Sequence, residues 1–575
     1  MKKLSKINES FTNKNKYFIP IISMIIYICV ALGITLGIKA VFGNQSKEEN
    51  VLISNNSAEE FYFNGKYDAA LKEFTSLQEK EIWPLHMVNV AKIQLISGEY
   101  VQSNKSLQKA YEIRNKVIDT KKSEIENIQE KDIDLGNQII FTYFLNGEYK
   151  KAAEYGEFYL NIYPENHKLK QTMFTVFLSN NELDKAKEIV ENYDFDDTDS
   201  NDLVAIAQMN FVIGNYDEGL KFLDEAFNID KDLLKIFDAI AQVKSQSELL
   251  DKVIKLQEKN KESVFYKAVL AKIYSMDENN KEKALQLIEE LDDQNVESAN
   301  LDLLKYNILK DDSNENMLDI LKDKYDETTF MGLYIRAIES YNNNKYDDAF
   351  KYAKKCIAYD KNYNGVYYFI QEIKTAQKKA QMAEPFIINA MYNETYNYNI
   401  IVKTAEYYKN IIKDSNKAVH YYELATLINQ KDGDIFYNIG LIQLNNQRVD
   451  EAVEYIKKSI SINGNCAKYY RTLGCIYLEK KEKEKSIDYI RKAYNLDEKN
   501  ILTLNDAAYY YAVIDNNIDR AMVNIKYAFD GISDKTKEEN KKIVTDNYNR
   551  IKIAFDSSKK ENSSKTKVSE LKLIY

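Results

Sequence analysis

The sequence between Asp434 and Asp497 contains one helix-pair pattern twice, at an offset of 34 residues. Residues 434–463 read DIFYNIGLIQLNNQRVDEAVEYIKKSISIN, and residues 468–497 read KYYRTLGCIYLEKKEKEKSIDYIRKAYNLD. In this alignment Gly440 falls on Gly474, although glycine inside a helix costs about 1 kcal/mol relative to alanine. The pattern therefore predicts helix pairs whose two members approach closely at the small positions.

The small residue of the second helix recurs outside this stretch, and most steps between its occurrences are 33 to 35 residues. A repeat of this length with these residues resembles the tetratricopeptide repeat (TPR) family. The resemblance implies an all-α fold, a right-handed α-solenoid of stacked antiparallel helix pairs, with about fourteen pairs over residues 57–531. One longer step predicts an insertion around residues 114–135. The recurring small residues are Ala70, Ser103, Ala152, Ala186, Gly219, Ala284, Ala349, Ala418, Ala452, Ser486 and Ala521.

A second recurring signal is glycine followed two positions later by tyrosine, just before the small residue. Glycine adopts positive φ without steric penalty, so these glycines are predicted to form the tight turn inside a pair. They are Gly65, Gly98, Gly147 and Gly214.

The beginning of the chain differs from the repeats. Residues 1–16 are basic, and residues 17–38, YFIPIISMIIYICVALGITLGI, are uncharged and long enough to span a bilayer. Five lysines precede this run, against Lys39 and Lys47 shortly after it, which predicts a cytoplasmic N-terminus and repeats outside the cell. The length of the run and the poor cleavage sites favour an uncleaved signal anchor. Residues 39–56 are interpreted as a linker.

Composition narrows the functional classes. The formal net charge is −10, which makes nucleic acid an unfavourable partner, and the abundance of Lys, Asn, Ile and Tyr is typical of a low-GC bacterium. The three histidines, His86, His167 and His420, lie far apart and have no metal-ligand spacing. No phosphate-binding loop or catalytic motif is present. We therefore predict no catalysis, no cofactor and no metal site.

The TPR resemblance further implies that the first helices of successive pairs line a concave groove for peptides. The family's carboxylate clamp is not expected here, because Lys468 matches one of its positions whereas Tyr437, Leu441 and Thr472 depart from the others. The groove candidates are Tyr437, Leu441, Leu444, Lys468, Arg471, Cys475 and Tyr509.

After the repeats we expect a polar capping helix at residues 532–556 and a disordered tail at residues 557–575. The resulting hypothesis is a membrane-tethered TPR scaffold that binds envelope or secretion-related proteins on the extracytoplasmic face. Two alternatives stay open: an extracellular receptor for a peptide or other ligand, and a scaffold that faces the cytoplasm.

Overall fold

The structure, a computed structural model, describes residues 57–243, 246–310, 317–561, 568 and 570–575. Within these ranges the regular elements are all helical, and no strand is present. The first fifteen α-helices are α1 (Ser57–Phe63), α2 (Tyr67–Lys80), α3 (Leu85–Ile96), α4 (Tyr100–Lys121), α5 (Ile128–Leu145), α6 (Tyr149–Ile162), α7 (His167–Ser179), α8 (Leu183–Glu191), α9 (Ser200–Ile213), α10 (Tyr216–Asp230), α11 (Leu234–Ala241), α12 (Gln246–Lys259), α13 (Val264–Ser275), α14 (Lys281–Asp293) and α15 (Ala299–Leu309). The others are α16 (Met317–Lys324), α17 (Phe330–Asn342), α18 (Tyr346–Tyr359), α19 (Asn364–Ala376), α20 (Glu384–Asn393), α21 (Tyr398–Tyr407), α22 (Ser415–Ile428), α23 (Gly433–Asn445), α24 (Val449–Ile462), α25 (Ala467–Glu479), α26 (Lys483–Leu496), α27 (Ile501–Tyr509), α28 (Ile518–Asp530) and α29 (Glu538–Glu561).

Most consecutive helices pack as pairs, such as α1 with α2, α9 with α10 and α27 with α28, whereas α11 and α12 both pack against α13. This is the predicted all-α arrangement of TPR-like helix pairs. Short 3-10 segments interrupt it at Lys122–Glu124, Glu278–Asn280 and Ala380–Ala383, and π-helical turns follow α21 and α27.

The chain divides into two compact units. One comprises the described residues of 57–125 and 288–393, and the other the described residues of 126–287 and 394–575. In the first unit the Tyr67 hydroxyl donates to Glu384 at 2.8 Å, which joins the start of α2 to the start of α20. In the second, the ring of His420 on α22 contacts the Leu145 carbonyl at 2.7 Å, which joins α22 to the end of α5.

The repeated glycines mark close helix contacts. A Cβ added to Gly440 would lie 2.8 Å from Ile456 Cγ1, and one added to Gly474 would lie 2.7 Å from Ile490 Cγ1. Both distances are below any ordinary carbon–carbon contact, so neither position has room for a side chain. The 34-residue period is therefore the period of one repeated steric contact.

The turn inside a pair contains a residue in the left-handed region. Gly65, Gly98, Gly147 and Gly214 have φ between 67° and 88°, as predicted for these four positions. Equivalent turns after α7, α23, α25 and α27 place a non-glycine residue in the same region; in the turn after α23, the N–H of Arg448 donates to the Gln443 carbonyl. This bond is the signature of a Schellman motif, which satisfies the carbonyls at a helix end. The non-glycine residues are Asn181, Gln447, Lys481 and Asn516.

The predicted transmembrane segment, residues 17–38, lies outside the described residues. Among the helices that the structure does describe, none is long and apolar enough to cross a membrane.

The end of the chain departs from the predicted disordered tail of residues 557–575. Helix α29 extends to Glu561, beyond the predicted capping helix of residues 532–556, and Ile574 is only 8% exposed. The prediction relied on the Ser- and Lys-rich composition. It overlooked Leu571, Leu573 and Ile574, three apolar side chains that give residues 571–575 something to bury.

Candidate functional site

The predicted groove residues lie on the first helices of the last three pairs, α23, α25 and α27. Hydrogen bonds between neighbouring first helices join residues that are about one repeat apart. Tyr437 on α23 bonds Thr472 on α25 through their hydroxyls at 3.0 Å, and Arg471 on α25 bonds Asp506 on α27 at 3.3 Å. The first helices are thus linked by a polar ladder in which one position of a repeat contacts the following position of the next repeat.

The first step of the ladder belongs to an aromatic cluster. The rings of Tyr437 and Tyr469 lie 5.1 Å apart, and the ammonium of Lys468 is 5.4 Å from the Tyr437 ring. Lys468 also pairs with Asp434 at 2.8 Å. Burial is the largest single influence and lowers the pKa of Lys468, but the hydrogen bond to Asp434 and the neighbouring charges, that of Asp434 first, together raise it overall. Lys468 therefore remains a cation on the exposed edge of the cluster.

Leu441 and Leu444 are half-buried and pack against this cluster beside Tyr437. Tyr437 itself is 8% exposed. The structure therefore brings four of the predicted groove residues, Tyr437, Leu441, Leu444 and Lys468, into one patch at α23 and the start of α25.

The second step of the ladder is a buried ion pair. The side chains of Arg471 and Asp506 are 6% and 0% exposed. The Cys475 thiol lies 3.0 Å from the same Asp506 oxygen. Burial raises the pKa of Asp506 although Arg471 opposes the shift, and burial beside this carboxylate raises the pKa of the Cys475 thiol. Cys475 is thus a poor nucleophile and a weak hydrogen-bond donor in this position.

The ion pair also holds the main chain of residues 571–575, hereafter the docked segment. Arg471 Nη1 donates to the Ile574 carbonyl at 2.6 Å. Asn547 on α29 makes two bonds to the main chain of Lys572: its Nδ2 donates to the carbonyl at 2.7 Å, and its Oδ1 accepts from the N–H at 3.0 Å. Asn547 in turn bonds Asn505 on α27 at 2.9 Å, which extends the polar ladder to α29.

Side chains of the docked segment fill apolar space on both sides of these bonds. Leu571 and Ile574 pack in the core formed by α27, α28 and α29. Leu573 packs beside Tyr509 in the core formed by α25, α26 and α27. The hydroxyl of Tyr575 is hydrogen-bonded to Glu479, and burial together with this bond raises its pKa. The segment therefore bridges two neighbouring cores.

The strength of this docking can be bounded. Full burial of an isoleucine side chain contributes about 1.5–3 kcal/mol, and each hydrogen bond about 0.5–1.5 kcal/mol net. One buried side chain, two half-buried leucines and three main-chain hydrogen bonds correspond to the contacts of a short peptide ligand. This surface can therefore bind an extended polypeptide.

The predicted candidates differ in how they can serve such binding. Lys468 is exposed, and Leu441, Leu444 and Tyr509 are half-buried, whereas Arg471 is 5% exposed and compensates a buried carboxylate. Arg471 contacts a main-chain carbonyl but also stabilises the repeat core, so its role is both structural and in recognition. Lys468 pairs with Asp434 and makes no contact with the docked segment among those described.

Sequence reasoning missed Asn547, Asp506 and the docked segment. Asp506 could have been noticed as an acidic residue among the apolar and small residues Leu504, Ala507 and Ala508. Asn547 gave no signal, because it lies in a polar helix with many similar side chains.

Two other places in the described residues group polar side chains around a cavity or a buried carboxylate. A cavity of about 230 Å³ in the first unit is lined by Tyr62, Phe74 and Lys92, among others, and is smaller than the roughly 300–1,000 Å³ of drug-sized ligand sites. In the second unit His167 and Tyr193 contact the buried Asp202 at 2.9 and 2.6 Å. Asp202 also accepts the N–H of Asp196 at 2.8 Å, so its oxygens are occupied by structural bonds.

Comparison with known proteins identifies the repeats. The sequence profile of the tetratricopeptide repeat family matches residues 433–466 and 467–500, which include α23 to α26. Residues 433–500 are tetratricopeptide repeats. Repeats of this kind typically serve as scaffolds for other proteins rather than as catalysts. No curated protein sequence matches the chain.

Several solved structures have a similar helical arrangement. The Cut9–Hcn1 hetero-tetramer of the APC/C matches 90% of this chain and 99% of its own, with 12% identity and a TM-score of 0.38. The Naa15/Naa10 complex bound to HypK-THB matches 90% and 98%, with 14% identity and a TM-score of 0.30. PilF of Pseudomonas aeruginosa matches 36% and 90%, with 14% identity and a TM-score of 0.28. At these scores the likenesses carry no argument about function.

Proposed function

We propose that this protein is a membrane-tethered scaffold that binds other proteins through the groove lined by α23, α25 and α27. The observation that supports this most directly is the main chain of residues 571–575, which is held by Arg471 on α25 and by Asn547 on α29. A surface that already accommodates extended polypeptide is suited to a protein partner. The acidic net charge of −10 disfavours nucleic acid.

We place the repeats on the extracytoplasmic face and the partners among envelope or secretion-related proteins. The uncharged run at residues 17–38 and the lysines before it support a single-pass membrane protein with a cytoplasmic N-terminus. Protease added to intact, wall-stripped cells should then digest the repeats, while a tag at residue 2 stays protected. Repeats that resist digestion until lysis would instead support the scaffold that faces the cytoplasm.

Partner binding can be tested by site-specific photocrosslinking in living cells. A photoreactive amino acid in place of the exposed Lys468 on α25 should crosslink to a protein partner. The matched control replaces Lys458, which is exposed on the second helix α24. Equal crosslinking from both positions, or none from Lys468, would count against a groove-binding scaffold.

A ligand-sensing receptor is the second candidate. The small cavity lined by Tyr62, Phe74 and Lys92 is the feature that would favour it. Its volume suits a ligand smaller than most drug-sized molecules. The scaffold therefore remains the better-supported function.

A further inference from the structure

The docked segment, residues 571–575, has no regular secondary structure. It contacts the first helices α25 and α27, which we assign to partner binding. We propose that it is an internal ligand, and that the groove recognises an extended apolar peptide of a partner that must displace it. This inference rests on the proposed function, because it names the kind of polypeptide that the same site takes.

The contacts show which features of a peptide the site recognises. Asn547 bonds both main-chain groups of Lys572, whose own side chain is exposed. These bonds are available to nearly any residue at that position, since every residue except proline has both groups. At position 572 the site therefore selects an extended main chain rather than a side chain.

Side-chain selection is concentrated on the neighbouring positions. Ile574 is the buried residue of the segment, and its carbonyl accepts from Arg471 while its side chain enters the core formed by α27, α28 and α29. Leu571 and Leu573 are half-buried in the two adjacent cores. A competing peptide needs apolar side chains at the positions of Leu571, Leu573 and Ile574, and it can vary at position 572.

The contacts described also separate this mode from a carboxylate clamp. Arg471 and Asn547 contact the main-chain groups of Lys572 and Ile574, which any internal stretch of a partner also has. Lys468, the residue that matches one clamp position, pairs with Asp434 instead. The partner segment can therefore be internal to its own chain.

Occupation by the docked segment makes partner binding conditional. A covalently attached ligand competes at a high local concentration, so a peptide from another protein binds only if its contacts or its own local concentration exceed those of the docked segment. Partners that present several such segments, or that are held close by at the membrane, gain the advantage. The groove is thus shielded from weak apolar peptides.

The test measures binding of one labelled peptide to variants of the full chain. The probe is fluorescein-labelled VSELKLIY, the sequence of residues 568–575, with binding followed by fluorescence anisotropy. The displaced variant combines Leu571→Ser, Leu573→Ser and Ile574→Ser. The matched control combines Glu570→Ser and Lys572→Ser, two exposed residues of the same stretch.

We expect the displaced variant to bind the probe at least tenfold more tightly than the native chain, and the matched control to behave like the native chain. Adding Asn547→Ala to the displaced variant should weaken binding of the probe by about tenfold or more. A probe with Asp in place of the isoleucine should not bind. Equal binding by the native chain and the displaced variant would overturn the proposal, and so would no binding by either.

A second measurement covers the case in which the displaced variant fails to fold, as judged by circular dichroism. Saturating unlabelled peptide added to the native chain should speed amide hydrogen exchange at residues 572–574. Unchanged exchange would overturn the proposal. Concentration-dependent dimers of the native chain that disappear in the displaced variant would also overturn it, in favour of segment exchange between two copies.

The experiments distinguish a failure of the internal-ligand proposal from a failure of the proposed scaffold function. If the displaced variant binds the probe but Lys468 never crosslinks a partner in cells, the internal ligand stands and the scaffold function falls. If Lys468 crosslinks a partner but the displaced variant changes neither probe binding nor crosslinking, the scaffold stands and the internal ligand falls.

Discussion

Helices α23–α28 and α5–α10 belong to the same unit but compensate their buried carboxylates differently. In α23–α28, Asp506 faces the guanidinium of Arg471 on the neighbouring repeat. In α5–α10, Asp132 accepts bonds from the hydroxyls of Tyr159 and Tyr163, at 3.4 and 2.8 Å. A bond to a carboxylate is charge-assisted in both cases, but only Arg471 also brings a counter-charge, whereas the two tyrosines are neutral donors.

The two regions also differ in the close helix contacts at their glycines. Gly440 and Gly474 each meet an isoleucine of their own pair, at the same position of the repeat. In the early helices, Gly136 approaches the ring of Tyr159 and Gly156 approaches the sulfur of Met173. The physical solution, glycine beneath a bulky side chain, is shared. The late repeats use one version of it with a fixed spacing, whereas the early ones use several.

Arg471→Ala should have the largest effect, because it leaves the Asp506 carboxylate buried without its counter-charge. Breaking a buried pair from one side typically costs about 3–5 kcal/mol. We expect a loss of that size in the free energy of unfolding, measured by urea titration, with faster amide exchange in α25 and α27. The matched control, Arg491→Ala, removes an exposed arginine and should change little.

The double variant Arg471→Met with Asp506→Leu tests the cause of this effect. Replacing both members of a buried pair by apolar residues is often neutral, so most of the lost stability should return. A double variant as unstable as Arg471→Ala would show that packing of the arginine, rather than its charge, is what matters.

The Arg471→Ala deficit should also depend on pH. Burial already raises the pKa of Asp506 above its ordinary 3.8, and loss of Arg471 should raise it further. A carboxyl whose folded pKa exceeds its unfolded value favours the folded state at low pH and loses that contribution as pH rises through the folded pKa. The deficit should therefore be larger at about pH 7.5 than at about pH 5, in urea titrations of both proteins. A deficit independent of pH would mean that Asp506 is not its source.

Gly440→Leu should come next, with a loss of about 1–3 kcal/mol or more from overpacking against Ile456. Amide exchange in α23 and α24 should rise before exchange in α5 and α6. Gly464→Leu is the control, since an added Cβ there meets nothing closer than 3.6 Å. Equal losses from the two substitutions would refute the idea that the period records one steric contact.

Tyr163→Phe should have the smallest effect, about 0.5–1.5 kcal/mol, because Asp132 keeps the hydroxyl of Tyr159 as a donor. Thermal unfolding followed by circular dichroism is sufficient to compare it with Arg471→Ala. A loss as large as that of Arg471→Ala would remove the distinction between the two regions.

The sequence predicted the fold best in the regions where the same helix–helix contact recurs at a fixed spacing. The helix pairs around Gly440 and Gly474 and the turns at Gly65, Gly98 and Gly147 follow from local rules, because spacing and glycine are visible in a single chain. The TPR resemblance, applied to that spacing, assigned Arg471 and Tyr509 to the first helices of their pairs. Neither the rules nor the resemblance could show that Arg471 is buried, since that depends on Asp506 in the next repeat and on Ile574, 103 residues away.

Local sequence rules could not predict the position of the docked segment, for a similar reason. Residues 571–575 have no periodicity of their own, and their neighbours in sequence are polar. Their conformation is fixed by Asn547 and by cores built from other helices, so only the folded chain reveals it.

The left-handed turns have a consequence for engineering. Asn181, Gln447, Lys481 and Asn516 occupy a backbone region that glycine adopts freely and that costs other L-residues roughly 1 kcal/mol. Replacing each by glycine relieves strain in the folded state but also loosens the unfolded chain, so each position gives a small increment whose sign depends on that balance. Because each turn belongs to a different helix pair, we expect the increments to add. The stability of this chain can therefore be adjusted repeat by repeat, without changing Arg471 or Asn547, the residues that bind Ile574 and Lys572.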